Sequence, residues 1–410
     1  VCRDCINPNI KSKVEKGGID VKRKLSLLLA LVMVFSIIAV GCSGTPSTTS
    51  GQPKEEVIKI GVFEPLTGAN AAGGALEIEG IKLANEMYPT VLGKKVELVI
   101  LDNKSDKVEA ANAATRLVDQ DKVSVVLGSW GSGLSIAAGA VYKEAGVPAI
   151  GTSCTNPLVT LNNDYYFRVC FIDPFQGNVM ANYAFNEVKV KKVAFIIEKS
   201  NDYSVGLAKF FQDTFKELTG DQNAVVYTGY YNTGDQDFTA QITGIKESGA
   251  EAIFAPGNFT ESALIMKQAK ELGLTLPILG GDTWETPEVI DIAGAAAEGV
   301  VFSTFFDANA KLTGETSKFL DAYSKKYGKE PAAVTALGYD AYILALDAIT
   351  RAGKAEPQAI KEALASTKDF PGAAGTVTLD VNGDAVKSAV IKTVKDGKFT
   401  YLTTVEPIKK

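Results

Sequence analysis

The strongest constraint on this chain is an alternation of apolar strands and amphipathic helices that begins at Val57, breaks near Asp173 and then starts again. In the first run VIKIGVF precedes a helix near Gly74 to Met87, and VELVILD precedes one near Lys107 to Gln120. A buried strand, Val123 to Leu127, then leads into a helix from about Ser132 to Ala145. Apolar strands separated by helices belong to a parallel sheet covered on both faces. After the strand Tyr165 to Val169, the stretch FIDPFQG (Phe171 to Gly177) interrupts the rhythm with a proline. VAFIIE opens the second run, with helices from about Tyr203 to Leu218, Phe238 to Ser248 and Thr260 to Leu272. The expected fold class is α/β, with two doubly wound parallel-sheet lobes and a candidate crossing at Asp173 to Phe175.

Beyond Gly299 the strand VVFSTF is followed by helical stretches at Thr316 to Tyr327, Val334 to Ala352 and Gln358 to Ser366. The end reads as a meander with turns at Asn382-Gly383 and Asp396-Gly397. The chain is therefore expected to cross between the lobes more than once, through a multi-crossing hinge that permits closure around a ligand. The expected lobes are residues 57–172 with 303–375, and 173–302 with 376–410.

Function in such sheets collects at the carboxyl ends of the strands. There the turn before Ser132 brings free N–H groups and the positive end of a helix together, and Gly131 and Gly133 leave room for a close approach. The next strand runs into GTSCTNP, a loop of hydroxyls and exposed backbone holding Ser153 and Thr155. Both loops also fit ordinary βα turns, in which glycine and serine are common. The first is not a dinucleotide fingerprint, because isoleucine falls where the third glycine belongs. The loop EPLTGANAAGG, Glu64 to Gly74, is expected to overhang the same edge.

Residues 1–56 read differently. Lys22, Arg23 and Lys24 precede Leu25 to Val40, an uncharged apolar run of 16 residues that is short for a membrane span of about 20 residues. It has the layout of a secretory signal, and Ala39 to Cys42 resembles a bacterial lipobox, with alanine where leucine is usual. Residues 1–41 are thus expected to be leader and lipoprotein signal peptide, Cys42 the lipidation site and 42–56 a flexible tether. Residues 1–20 are expected not to be translated, with Val21 as an alternative start. The body then lies outside the cytoplasm, anchored to the bacterial membrane. That compartment permits a disulfide between Cys154 and Cys170, while two buried free thiols fit the sequence as well.

Residues 1–41 carry seven Lys and Arg against three Asp and Glu, so the rest has 35 basic and 45 acidic side chains, a net of −10. Nucleic acid is an unfavourable partner for such a surface. The chain has no histidine, which excludes Ser-His-Asp and Cys-His sites and any histidine metal site. No cofactor, metal or catalytic group is expected. Glu55 with Glu56, and Glu285 with Glu288, read as solvated or helix-start charges. Asp282 is more informative, because it follows two glycines at the end of the strand LPIL. Thr286 and Pro287 make the better helix start, which leaves Asp282 in the loop, where an acid can hold an ammonium group. Trp130, Trp284 and Tyr203 are candidate apolar walls, although each also fits a core position.

Taken together, the lipobox and tether, GVFEPLTG, LGSWGSGLS, GTSCTNPLVT, YYFRVCFIDPFQG, SNDYSVG and LGGDTWETPE resemble the leucine/isoleucine/valine-type substrate-binding proteins of ABC importers. The resemblance spans roughly Val57 to Thr404. It implies the type I periplasmic-binding-protein fold and a non-enzymatic, monomeric binder that delivers an amino acid to an ABC permease and its ATPase. It also implies that Ser132 and Thr155 hold the ligand carboxylate, and that the Ser153 backbone binds the ammonium with Asp282. Tyr203 matches a tyrosine of the second lobe, and Asn258, Gly133 and Trp130 complete the expected set. A family tyrosine of the first loop is replaced by Gly73 or a neighbour, and Trp130 stands where a smaller apolar residue is usual. An amide, urea or aromatic-acid binder of the same fold and a module presenting its ligand to a sensor kinase are the alternatives.

Overall fold

The computed structural model describes residues 56–310 and 312–407. The expected leader, Cys42 and the tether to Glu55 lie outside the described residues. Strands β1 (Val57–Glu64), β2 (Thr90–Val91), β3 (Lys94–Asp102), β4 (Val125–Leu127), β5 (Ala149–Gly151) and β6 (Tyr166–Arg168) form the first sheet, in the order β2-β3-β1-β4-β5-β6. All pairs are parallel except β2 with β3. Five consecutive residues of β1, Ile60 to Glu64, are buried, as they must be in a strand covered on both faces. Helices α1 (Ala71–Met87), α2 (Lys107–Arg116) and α3 (Ser132–Ala145) alternate with these strands. The start of α3 lies at the residue that the turn chemistry indicates.

The second lobe holds α4 (Asp173–Tyr183), β7 (Val193–Glu198), α5 (Asp202–Thr219), β8 (Val225–Tyr231), α6 (Thr239–Ser248), β9 (Ala252–Phe254), α7 (Phe259–Glu271), β10 (Ile278–Gly280), α8 (Pro287–Ala293) and β11 (Val301–Thr304). The chain then returns to the first lobe as α9 (Gly314–Tyr327), α10 (Ala333–Ala352), α11 (Pro357–Ala365) and the hairpin β12 (Phe370–Gly372) to β13 (Gly375–Val377). It ends in the second sheet as β14 (Ala389–Lys395) and β15 (Lys398–Val405), in the order β15-β14-β11-β10-β9-β7-β8. Helix α10 lies directly on α1. A Cβ on Gly80 would sit 1.9 Å from the Thr335 carbonyl oxygen, and one on Gly338 would sit 2.2 Å from that of Glu77, so two glycines let the backbones touch.

Three segments cross between the sheets, after Arg168, after Thr304 and after Val377. The first is Val169 to Ile172, because Asp173 to Phe175 form the opening turn of α4, where Pro174 needs no N–H partner. Lobe boundaries at 302/303 and 375/376 fall inside β11 and β13, each of which stays whole in its sheet. The expected meander is also interrupted. Asp396-Gly397 joins β14 to β15, whereas Asn382-Gly383 turns within the third crossing, closed by a bridge from Leu379 to Ala385. Phe171 of the first crossing and Phe305 of the second pack ring to ring at 4.4 Å, so these two crossings share one apolar core.

Candidate functional site

Strand order fixes where each lobe can hold a small molecule. In the first sheet β1 is flanked by β3 and β4, and in the second β7 is flanked by β8 and β9, so connections leave in opposite directions on either side of β1 and β7. The crevices outside these strand ends are the topological switch points of doubly wound sheets. A cavity of about 100 Å³ lies between them. From the first lobe it is lined by Ala69 and Asn70 after β1, by Trp130 to Leu134 after β4 and by Ser153 after β5. From the second it is lined by Glu198 at the end of β7 and Ser200 to Tyr203 after it, by Asn258 after β9, and by Asp282 and Thr283 after β10.

Ser132 is the first residue of α3, buried on the cavity wall, and Gly131 before it has a φ of +94° that glycine adopts without strain. The N–H groups of Leu134 and Ser135 turn back to the Gly131 carbonyl, at 3.1 and 3.2 Å. Among the described residues, those of Ser132 and Gly133 find no backbone acceptor. Two donors and the positive helix end therefore face the cavity, an arrangement suited to an anion.

Opposite stands Asp282, which is 2 % exposed. Its Oδ1 accepts from Gln176 Nε2 at 2.7 Å and from the Tyr203 hydroxyl at 2.9 Å, and neither bond uses Oδ2. Burial pushes this carboxyl up to about 6, with the Gln176 and Tyr203 bonds holding it down against that effect. Among the described residues no lysine or arginine forms an ion pair with it. A ligand cation would supply the missing charge. Asp282 does lie in the loop, within a short turn from Asp282 to Trp284, and Thr286 occupies the cap position of α8, although its hydroxyl makes no cap bond.

Seven of the expected residues meet on this lining: Trp130, Ser132, Gly133, Ser153, Tyr203, Asn258 and Asp282. Thr155 does not reach it. Its hydroxyl is buried without a hydrogen-bond partner, and the residue sits against Asp173, whose N–H donates to the Thr155 carbonyl at 2.9 Å. Trp284 belongs to the core of the second lobe, wholly buried beneath Gly280, where a Cβ would come within 2.3 Å of the indole. Cys154 and Cys170 are free buried thiols. Glu285, which reads as a solvated charge, is buried and paired with Lys392 at 2.8 Å.

Several residues escape the sequence reading. Asn258 Nδ2 donates to Asn70 Oδ1 at 2.6 Å across the cleft, and Asn156 Nδ2 donates to the Asp202 carbonyl at 2.9 Å. Trp130 meets Phe259 of the other lobe edge to face, with ring centres 6.2 Å apart. Behind the first lobe's wall, Glu64 accepts the Trp130 N–H at 2.8 Å and Glu77 accepts the Thr152 hydroxyl at 2.6 Å. Burial raises both carboxyls, Glu77 to about 7, and the pair braces two lining loops from within. The signals for Asn70 and Asp202 are present in sequence only as members of loops that follow strands. Their partners are far off in sequence, Asn258 lying 188 residues from Asn70 and Lys107 lying 95 from Asp202.

Residues 57–398 match the family model described as periplasmic binding protein. The Leu/Ile/Val-binding protein homolog 1 of Brucella suis is 31% identical over 359 residues, covering 84% of this chain and 93% of that protein. The solved leucine binding protein LivK of Thermotoga maritima superposes with a TM-score of 0.83 at 44% identity, covering 85% of this chain and 99% of its own. The substrate binding protein LivJ of Streptococcus pneumoniae, solved with isoleucine, gives a TM-score of 0.80 at 36% identity, covering 86% of this chain and all of its own.

Proposed function

The chain belongs to the periplasmic binding protein family, and we propose that it captures a free branched-chain amino acid between its lobes and delivers it to an ABC importer. The observation that carries this reading is one cavity with opposite demands at its two ends. Ser132 and the α3 N-terminus, on the first lobe, favour an anion, and the uncompensated carboxylate of Asp282, on the second, favours a cation. A zwitterion satisfies both only when the lobes are together, so recognition and closure are one equilibrium. Trp130 and Leu134 line the cavity with apolar surface for an aliphatic side chain. The leucine binding protein of T. maritima and the isoleucine complex of the S. pneumoniae protein support this ligand class.

The remaining parts of the reading follow from that role. The protein acts without catalysis, as a monomer outside the cytoplasm, tethered by lipid at Cys42 and presenting its closed form to a permease with its ATPase. A thermal-shift screen of the L-amino acids, with decarboxylated and amidated analogues beside them, tests the ligand. Ligand at about 100 times its Kd adds roughly 2.7 kcal/mol of stability. Shifts with leucine, isoleucine or valine that vanish with the analogues support the reading. Shifts with amides, urea or aromatic acids but with no amino acid overturn it.

A further inference from the structure

We propose that Arg168 is a positioning residue that ties the ligand-facing loop 152–156 to the third inter-lobe crossing, so that hinge position and loop geometry change together. The inference rests on the amino-acid reading only for its choice of probe. Arg168 ends β6 and its side chain is wholly buried. Nη1 donates to the carbonyls of Cys154 at 2.6 Å and Asn156 at 3.0 Å, and Nη2 donates to Thr160 Oγ1 at 2.7 Å. Nε lies 2.7 Å from Asp384 Oδ1 as an ion pair whose angle does not make an aligned hydrogen bond. The same Asp384 oxygen accepts the Thr160 hydroxyl at 2.9 Å. Three of the five guanidinium N–H donors are thus hydrogen-bonded at this junction, and Nε faces its counter-ion there.

Asp384 belongs to the segment between β13 and β14, which returns the chain to the second lobe. That segment is docked on β6 by the Arg168 N–H, which donates to the Gly383 carbonyl at 3.0 Å. Gly383 has a φ of +85°, and a Cβ there would come within 2.7 Å of the Tyr166 carbonyl oxygen, so the Asn382-Gly383 turn permits this approach. On its other side the loop faces the cleft. The Asn156 N–H donates to Ser132 Oγ at 3.1 Å, its side chain donates to Asp202 of the second lobe, and Ser153 lines the cavity. One short stretch is therefore held from behind by the hinge and from in front by the site. A buried ion pair is weak grounds for stability, since apolar groups of similar volume do as well, whereas a planar fork fixes the directions of several acceptors at once.

The test uses Asp384→Asn, which keeps the shape but removes the charge, and Arg168→Lys, which keeps the charge but loses the fork. Hydrogen exchange is followed in the ligand-free protein for a peptide spanning residues 152–158. At least tenfold faster exchange there in a folded Asp384→Asn protein is expected, and unchanged protection overturns the proposal. With L-leucine as probe, each variant should raise Kd at least tenfold, and the double variant should be no weaker than Arg168→Lys alone. Additive losses, or an unchanged Kd in folded variants, contradict a shared path. If Arg168→Lys does not fold, Asp384→Asn alone decides both arms. If the wild-type protein fails to bind leucine, the amino-acid reading falls, and the exchange experiment still decides the role of Arg168.

Discussion

Lys107 Nζ lies 2.6 Å from Asp202 Oδ2, and this pair joins the first residue of α2 on one lobe to the first residue of α5 on the other. An aspartate at a helix start is favoured by the macrodipole, whereas a lysine there is disfavoured. The position of Lys107 is accounted for by its partner across the cleft. Both side chains are partly exposed, at 52% and 38%, so the pair is screened by solvent and worth on the order of 1 kcal/mol or less. Lys107→Ala should accelerate ligand release two- to fivefold with little change in association rate, and the difference should shrink in high salt. Stopped-flow fluorescence of Trp130, which lines the cavity, reads both rates. Equal release rates at low salt would remove the pair from the closed state's stability.

Gly73 and Trp130 form a matched pair. A Cβ on Gly73 would sit 2.3 Å from indole Cδ2, and the rigid ring cannot bend aside. Gly73→Ala should therefore cost about 1–3 kcal/mol of stability and displace the cavity wall. The double variant with Trp130→Leu should recover most of that loss, as measured by denaturant unfolding. Simple addition of the two losses would show that the residues are not coupled.

The Asp282 carboxyl should make binding depend on pH. Held at about 6 by burial, it keeps its proton below that pH, and a ligand ammonium must displace it. Kd is expected to rise about tenfold for each pH unit below 6 and to level off above. Stability of the ligand-free protein runs the other way. The unfolded group ionises near 3.8 and the folded one near 6, so this group's contribution is present at low pH and lost between those values, by about 3 kcal/mol. Asp173 and Glu285 act on Asp282 electrostatically, and Glu64 and Glu77 also titrate high, but all four remain in Asp282→Asn. That variant should lose tight binding together with this difference. Parallel Kd profiles for both proteins would contradict the assignment.

Ser132 and Thr155 separate what the family resemblance implies from what the geometry provides. Ser132 lines the cavity at the head of α3, and the Thr155 hydroxyl lies off the lining beside Asp173. Ser132→Ala should weaken leucine binding at least tenfold, whereas Thr155→Val should cost less than Ser132→Ala in the same titration. The reverse order would mean that the Thr155 hydroxyl swings into the site.

The two sheets were legible in the sequence because each strand and helix carries its own period, and Ser132 and Asp282 were legible because turn chemistry leaves them at strand ends. The three crossings were not placed to the residue. Pro174 reads as an interruption of the pattern but fits the opening turn of α4, and the Asn382-Gly383 hairpin signal serves a crossing. Long-range polar pairing leaves no local period, which is why Lys107 with Asp202, Asn70 with Asn258, and Glu64 with Glu77 emerge only in three dimensions. Trp284 shows the opposite case, a residue beside a functional loop that the core of its own lobe takes up.

The central claim is that one cavity reads both charged ends of an amino acid. Calorimetric titration of the purified protein with L-leucine, isoamylamine and 4-methylpentanoate, the last two each lacking one charged end, tests it most directly. The account predicts a Kd near the micromolar range for leucine, about −8 kcal/mol, and at least hundredfold weaker binding of both analogues. Analogue binding within a few-fold of leucine, or no leucine binding at all, would contradict it.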